Sequence, residues 1–256
     1  MKLGNIQINM FNNECIELMQ SQTFLDLTKN KKVCIVTDPP FNVGYHYNKY
    51  KDNLDEDEYY SFLDDVFSMY NFPFVVIHYP EQLYKISFQT GVFPNKVVSW
   101  VYNSNNSKQH RDIAFFKITP NFELVRQPYK NPNDKRIKER IAKGSRGGRL
   151  YDWWNINQVK NVSKDKTEHP CQMPLEVMKN IIGILPSDYL IFDPFMGSGT
   201  TALACKELKR DFIGCEIDEA YYKIAVDRLN GLSQKDVKRK DMGILDMFDF
   251  GVEDID

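Results

Sequence analysis

The sequence predicts an α/β fold: a doubly wound, mostly parallel sheet flanked by helices. Two observations carry that prediction. Short apolar runs of strand length alternate with amphipathic stretches of helical length. One run, Tyr189-Leu190-Ile191-Phe192, passes directly into Asp193-Pro194-Phe195-Met196-Gly197-Ser198-Gly199-Thr200 and then into a helix-forming stretch. That order of strand, tight turn and helix builds nucleotide-type sites.

Taken in order, residues 32–37 (Lys-Val-Cys-Ile-Val-Thr) read as a buried strand that stops at Asp38-Pro39-Pro40-Phe41, where two prolines end regular structure. A helix is predicted over 56–70, with Tyr59, Phe62, Leu63, Val66 and Phe67 on one side. Strands follow at 74–78, 97–102 and 113–118, with a helix over 81–89 between the first two. Pro174 is placed to start a helix over 175–185. After the glycine turn come a helix over 201–210, a strand over 211–215 ending at Glu216, and a helix over 218–229 for which Asp218 is the cap candidate.

The glycine segment has a direct physical reading. Gly197 and Gly199 let backbone approach a ligand closely, and the N–H groups opening the next helix favour a carboxylate or phosphate. Glu216, at the end of the adjacent strand, is placed to accept hydrogen bonds from ribose hydroxyls, so an adenosine-bearing cofactor is expected. Gly197-x-Gly199-x-x-Ala202 with Glu216 also satisfies a loose dinucleotide fingerprint. Position counts against it: the stretch after Glu216 is too short for a second mononucleotide half and a substrate domain. The remaining strands must come from the N-terminal side, leaving the cofactor half at the C-terminus.

At 256 residues and 42% hydrophobic, the chain can build one core with an inserted subdomain. Lys+Arg 33 against Asp+Glu 35 excludes a generally basic protein, which makes one local concentration of charge informative. Arg126, Lys130, Lys135, Arg136, Lys138, Arg140, Lys143, Arg146 and Arg149 are opposed within their own stretch only by Asp134 and Glu139. This reads as a phosphate-binding surface, and Gly144-Ser145-Arg146-Gly147-Gly148-Arg149 as a hinge whose arginines reach a backbone or a guanine edge. The bland alternative is a solvated face. The five cysteines show no paired spacing, so neither metal nor disulfide is implied. No signal-like segment opens the sequence and no apolar run approaches membrane-spanning length, so cytoplasmic residence is the expectation.

Several segments in one order resemble a known family. Asp38 to Asn42, Trp100, Asp112-Ile113-Ala114-Phe115-Phe116-Lys117, Asp152-Trp153-Trp154, His169-Pro170-Cys171-Gln172-Met173-Pro174-Leu175, the glycine motif and Glu216 together resemble the permuted, beta-group amino-methyltransferases of DNA. Asn13-Glu14-Cys15-Ile16-Glu17-Leu18 is similar to that family's Gly-Asp-Cys-Leu-Glu-Leu segment. The resemblance implies a circularly permuted, seven-stranded Rossmann-like methyltransferase sheet with an inserted target-recognition region. It also implies S-adenosylmethionine as cofactor and transfer of its methyl group to an amino nitrogen of a flipped base in double-stranded DNA. Carried onto this chain, the catalytic residues are Asp38, Pro39, Pro40 and Phe41. The cofactor residues are Glu14, His169, Gln172, Asp193, Phe195, Gly197, Ser198, Gly199, Thr200 and Glu216.

The chemistry explains the first motif. An exocyclic amino nitrogen is a poor nucleophile because its lone pair is delocalised into the ring. Asp38 and the carbonyl of Pro39 can accept both amino hydrogens, favouring a pyramidal nitrogen whose lone pair points at the methyl donor. Phe41 would stack on the base, worth about 1–3 kcal/mol against an unstacking cost of a few kcal/mol. Within the family, an opening aspartate points to adenine N6 and serine more often to cytosine N4. Cytosine N4 transfer, RNA or protein amide methylation, and a non-catalytic nucleic-acid-binding subunit remain the alternatives. Cys171 and Met173 stand where the family usually has Thr and Lys, which removes two polar groups from a segment that helps hold the methionine end of the cofactor; weaker donor binding is one consequence. Residues 42–51, with Tyr45, Tyr47 and Tyr50, read either as a loop over the flipped base or as plain packing.

The expected organisation is a catalytic half over 1–102 and a target-recognition region over 103–165 interleaved with the last sheet strands. An S-adenosylmethionine-binding half over 166–230 and a C-terminal tail over 231–256 complete it. A homodimer and a cognate restriction nuclease are the expected partners besides DNA. The whole reading requires the bends near residues 38 and 197 to line one cavity.

Overall fold

The computed structural model describes residues 2–3, 6–104, 107–159 and 166–232. Of the predicted tail over 231–256, all beyond Leu232 lies outside the described residues. The strands are β1 (Lys2–Leu3), β2 (Ile6–Asn12), β3 (Lys32–Thr37), β4 (Phe74–His78), β5 (Pro94–Val101), β6 (His110–Phe116), β7 (Arg126–Gln127), β8 (Gly148–Arg149), β9 (Trp153–Asn155), β10 (Tyr189–Asp193) and β11 (Phe212–Glu216). The helices are α1 (Cys15–Gln20), α2 (Gln22–Thr28), α3 (Glu56–Ser68), α4 (Pro80–Thr90), α5 (Lys135–Ala142), α6 (Leu175–Gly183), α7 (Thr200–Glu207) and α8 (Glu219–Leu229).

One nine-stranded sheet runs in the order β1-β2-β11-β10-β3-β4-β6-β5-β9. The five strands from β2 to β4 are mutually parallel, β6 is antiparallel between β4 and β5, and β9 is parallel to β5. The resemblance implies seven strands. The sheet has nine because the short strands β1 and β9 extend its two edges. The strand β2 was not legible in the sequence, yet it supplies the N-terminal neighbour that β11 requires, pairing Phe212 with Ile8 through Glu216 with Asn12.

Alternation along the strands explains the two helix layers. Cys34 and Val36 of β3 join a core with Val177, Met178 and Ile181 of α6, Ala202 and Cys205 of α7, and Ala225 and Leu229 of α8. Val33 and Ile35 point the other way, toward Leu18 and Met19 of α1, Phe24 of α2, Tyr59, Leu63 and Phe67 of α3, and Ile86 of α4. Full burial of such side chains is worth about 1.5–3 kcal/mol each, which is why the α3 stripe docks as a unit. Phe74 is stacked between Phe67 (4.7 Å) and Phe116 (4.4 Å), tying α3, β4 and β6 together. Local signals set the helix ends: Pro80 opens α4, left-handed Gly91 closes it, and the Asp218 carboxylate accepts from Ala220 and Tyr221 N–H to start α8.

The central pair β10 and β3 forms the switch point, since the chain continues from β10 to β11 on one side and from β3 to β4 on the other. Carboxyl ends of the parallel strands therefore open a crevice along one edge of the sheet. The basic excursion leaves from the opposite edge. Phe116, its last sheet residue, pairs with Phe74 at the start of β4, and Asp112 pairs with His78 at that strand's end. Residues 117–152 lie outside the nine-stranded sheet, with β7 and β8 as a separate ribbon. Phe122, Val125 and Leu150 anchor them to the core. Among the described residues no helix is long and apolar enough to cross a membrane.

Candidate functional site

The crevice holds a cavity of about 440 Å³, within the usual range for small-molecule and cofactor sites. Its walls include Asp38, Pro39, Pro40 and Phe41 from the end of β3, and Asp193, Phe195, Gly197 and Ser198 from the end of β10. The two motifs thus share one chamber because β3 and β10 are paired in register, and one side-chain bond ties them beyond the ladder. Thr37 on β3 donates its hydroxyl to Asp193 Oδ1 on β10 at 2.7 Å, fully buried. Asp193 also accepts from Thr201 Oγ1 and from Phe195 N. With its oxygens so engaged, and burial pushing its carboxyl up to about 6, Asp193 acts as the fastener between the motifs.

The turn after β3 is held by a relay. Tyr59 donates to Pro40 O at 2.7 Å and lies 3.0 Å from His78 Nε2. His78 Nδ1 accepts from Tyr79 N–H, so the neutral ring carries its proton on Nε2 and donates it to Tyr59. Burial, with Arg111 and Lys108 nearby, pushes His78 down to about 3 and keeps it neutral. The imidazole stacks on Phe41 at 4.2 Å. The relay takes Pro40 O, whereas no hydrogen bond claims Pro39 O among the described residues.

The Asp38 side chain is only 15% exposed, and desolvation pushes its carboxyl up to about 7 despite the opposing pull of Arg111. Its Oδ2 is 3.5 Å from Arg111 Nη1, and its Oδ1 is buried with no hydrogen-bond partner. Arg111, on β6, also lies over the Phe41 ring at 4.5 Å and places Nη1 3.8 Å from Met173 Sδ.

On the other wall, Gly197 N–H donates to Glu216 Oε2 at 3.0 Å and Asp218 N–H to Oε1 at 2.9 Å. Burial pushes Glu216 up to about 7. The glycines are demanded by protein as much as by any ligand. Gly197 has φ +50° and a Cβ there would sit 2.9 Å from His169 Nε2; Gly199 has φ +74° and its Cβ would sit 2.7 Å from Ala225 Cβ. Arg228 of α8 pins the loop from beneath, donating to Ser198 O and, at 3.0 Å, to Thr200 Oγ1. His169 lines the cavity, edge-on to Tyr221; burial keeps it neutral, pushed down to about 4, and its Nδ1 is buried with no partner. Glu14 also lines the cavity while capping α1 through Glu17 N–H. Gly199 and Gln172 are not on the cavity wall: Gly199 faces Ala225, and Gln172 is buried with Oε1 accepting from Thr167 N–H.

The loop after Phe41 is folded on itself. Asp52, almost fully buried, accepts from Asn42, Val43 and Tyr45 N–H, and Asn42 exchanges two bonds with Leu54. Tyr45, Tyr47 and Tyr50 thereby reach the cavity mouth, where the Tyr47 hydroxyl meets the Cys171 thiol. Sequence reasoning missed Arg111, His78, Tyr59, Asp52 and Arg228. Only the placing of Arg111 beside the family-like segment 112–117 offered a signal.

Elsewhere, Arg126, Lys130, Lys135, Arg136, Lys138, Arg140, Lys143, Arg146 and Arg149 are all exposed. Arg126, Arg140, Arg146 and Arg149 surround a second, open basin that shares no lining residue with the first. Glu123 pairs with Arg126 (3.3 Å) and Arg149 (3.4 Å). The helix α5 carries five of its charges on eight residues and buries none of them, capped only by Asp134.

Residues 33–227 match a family described as DNA methylase, the N6/N4 methyltransferases. The chain is 29% identical over 241 residues to the Type II methyltransferase M.HpaI of Haemophilus parainfluenzae, covering 84% of this chain and 74% of that protein. It is 29% identical over 260 residues to M.ScaI of Streptomyces caespitosus, covering 88% and 82%. Among solved structures, the PvuII DNA methyltransferase (cytosine-N4-specific) aligns with TM-score 0.63 at 17% identity, covering 93% of each chain, and the M1.HpyAVI–SAM complex with TM-score 0.56 at 23% identity, covering 87% of this chain and all of the other. At those identities the structural likeness speaks to fold.

Proposed function

The chain belongs to the DNA methylase family, and from that premise we propose that it transfers the methyl group of S-adenosylmethionine to the N6 amino group of adenine in double-stranded DNA, with the target base flipped into the cavity. The observation that carries this reading is the pairing of the motifs through the β3–β10 ladder and the Thr37–Asp193 bond, which sets a carboxylate and an aromatic platform opposite a glycine cradle. The wall residues fit the donor. Two buried polar atoms there, Asp38 Oδ1 and His169 Nδ1, have no partner, and Phe195, Met196 and Ile217 supply an apolar seat for an adenine ring.

In this reading Glu14, His169, Phe195, Gly197, Ser198 and Glu216 contact the donor, while Asp193, Gly199, Thr200 and Gln172 shape the cradle. S-adenosylmethionine supplies an already activated methyl on a sulfonium. Asp38 Oδ1 and Pro39 O accept the two amino hydrogens, Phe41 stacks on the base, and Pro40 holds the turn through its bond from Tyr59. No covalent intermediate is required; alignment of this kind can supply about 7–11 kcal/mol. Asp38 Oδ1 is also placed to take the proton that the methylated nitrogen sheds.

Nine cations from Arg126 to Arg149 would contact the DNA backbone. Because their excursion leaves the sheet from the edge opposite the cavity, this requires the duplex to run along the β5–β9 side of the molecule. The Type II names of the relatives support a place beside a cognate restriction nuclease. Three exposed aromatic side chains close in sequence, Tyr84 and Phe88 one turn apart on α4 and Phe93 just beyond it, would suit a homodimer contact.

A labelled-methyl assay offering duplex DNA, RNA and protein tests the reading, followed by mass spectrometry of the nucleosides. Label in N6-methyladenine is the expected result. N4-methylcytosine would move the substrate assignment, and label in RNA or protein alone would overturn it.

Two further outcomes follow from the carboxyls. Asp38 accepts fully only as carboxylate, so kcat/KM should rise with pH through about 7 and level off above it. Its raised value also means that the folded state holds this proton more tightly than the unfolded chain. The stabilisation is complete below the ordinary aspartate range and is lost as pH rises through about 7. Glu216→Ala should weaken donor affinity by about tenfold, as expected for one charge-assisted hydrogen bond, with little change in DNA affinity; unchanged donor affinity by calorimetry would show that the carboxylate serves the loop alone.

A further inference from the structure

Phe41 is a platform with both faces in use. His78 covers one face and cannot leave it, being fully buried and held by Tyr59 and Tyr79. The Arg111 guanidinium also lies over this ring, 4.5 Å from its centroid, and with the imidazole filling one face at 4.2 Å the other is the one with room for it. An incoming base that stacks on Phe41 and offers amino hydrogens to Asp38 must therefore lie where Arg111 now lies.

The bonding of Arg111 suits an occupant meant to leave. Structural arginine–carboxylate pairs are commonly bidentate with N···O near 2.7–2.9 Å. Here the single contact is 3.5 Å, and both Arg111 Nε and Asp38 Oδ1 are buried with no partner. Its other neighbours are the Tyr102 hydroxyl, the weak acceptor Met173 Sδ at 3.8 Å and the Trp100 ring at 5.6 Å, none of them an anion. The pair leaves polar capacity unmet that a better ligand of Asp38 would satisfy.

We propose that Arg111 is a resident surrogate of the target base and a specificity-determining residue: its planar guanidinium lies on Phe41 with N–H groups toward Asp38, and only a base that restores both contacts displaces it. This rests on the reading that Asp38 and Phe41 receive the base. A base with an exocyclic amino group replaces what the guanidinium gave. Thymine can stack but has a single ring N–H and no amino group to offer, so expelling Arg111 leaves Asp38 with less donor capacity than it had. The surrogate imposes a population cost on every base, and one that only an amino base offsets.

The test uses the whole chain saturated with S-adenosylhomocysteine and measures binding of 9-ethyladenine and 1-methylthymine by calorimetry. Arg111→Ala should bind 9-ethyladenine about tenfold more tightly than the parent protein, because the competent fraction no longer has to be opened. The preference for 9-ethyladenine over 1-methylthymine should narrow, and added guanidinium chloride at millimolar levels should compete with the base in the variant but not in the parent. Arg111→Lys, which keeps the charge and loses the plane, should fall between the two and serves if the alanine variant does not fold. Equal or weaker adenine binding by Arg111→Ala, or a lysine variant that excludes bases as the parent does, would overturn the proposal. Methyl transfer to duplex DNA by the parent separates the two levels. Transfer with no gain in base binding sinks the surrogate alone, whereas absence of transfer sinks the reading on which it rests.

Discussion

Asp38→Ala is expected to cut methyl transfer by about 10²–10³-fold, the loss typical when one aimed polar group is removed from a reacting centre. DNA affinity should be retained, since the cations over Arg126 to Arg149 are remote from the substitution. The size of the effect follows from isolation. Asp38 is the carboxylate beside Phe41, and the other cavity carboxylates are committed elsewhere: Asp193 to Thr37 and Thr201, Glu216 to the N–H groups of Gly197 and Asp218, Asp52 to those of Asn42, Val43 and Tyr45, Asp218 to those of Ala220 and Tyr221, and Glu14 to that of Glu17. No neighbour can take over the amino hydrogens. Asp38→Asn keeps the volume and one acceptor and should lie between the two. Single-turnover transfer of labelled methyl, with DNA binding followed by fluorescence anisotropy, reads both quantities; near-normal turnover in the alanine variant would remove Asp38 from the reaction. Arg111 loses its counter-charge in that variant, so thermal melting should accompany the assay to separate chemistry from unfolding.

Gly199→Ala should destabilise the fold by about 2–5 kcal/mol, the sum of a left-handed backbone cost of about 1–2 and an overpacking cost of about 1–3 kcal/mol. At φ +74° the new methyl would stand 2.7 Å from Ala225 Cβ and 3.1 Å from its Cα, contacts that no rotamer change relieves. Either α8 backs away or the glycine loop shifts. Both moves disturb the Arg228 bonds to Ser198 and Thr200 that set the cradle, so donor affinity should fall with stability. Urea unfolding with and without S-adenosylhomocysteine measures the two losses. A variant with an unchanged midpoint would show that the loop is not clamped by α8.

The same glycine shows how far sequence reasoning reached. Its occurrence between a strand and a helix was readable, and so was the need for a residue without Cβ, because both are properties of a few consecutive residues. The reason assigned from sequence was approach to a ligand, whereas the nearest obstacle is Ala225 of α8. Asp218 shows the favourable limit: an N-cap is a contact with the next two or three residues, and the predicted cap is the one that forms. Strand β2 shows the unfavourable one. Its run is irregularly buried, and what makes it a strand is pairing with β11 some two hundred positions away, where Asn12 Nδ2 donates to Glu216 O at 2.8 Å.

By itself the sequence determined the fold class, the two motif-bearing turns, the acid that ends β11 and the expected cofactor class, all written in short stretches whose periodicity and punctuation act locally. Tertiary structure alone decided that Arg111 of β6 faces Asp38 of β3, that His78 lies beneath Phe41, and that the basic excursion leaves from the sheet edge opposite the cavity. The physical reason is that a pattern of apolar residues reports which side of an element is buried, whereas the neighbours it meets there depend on the order of strands in the sheet, fixed only when every face is packed at once.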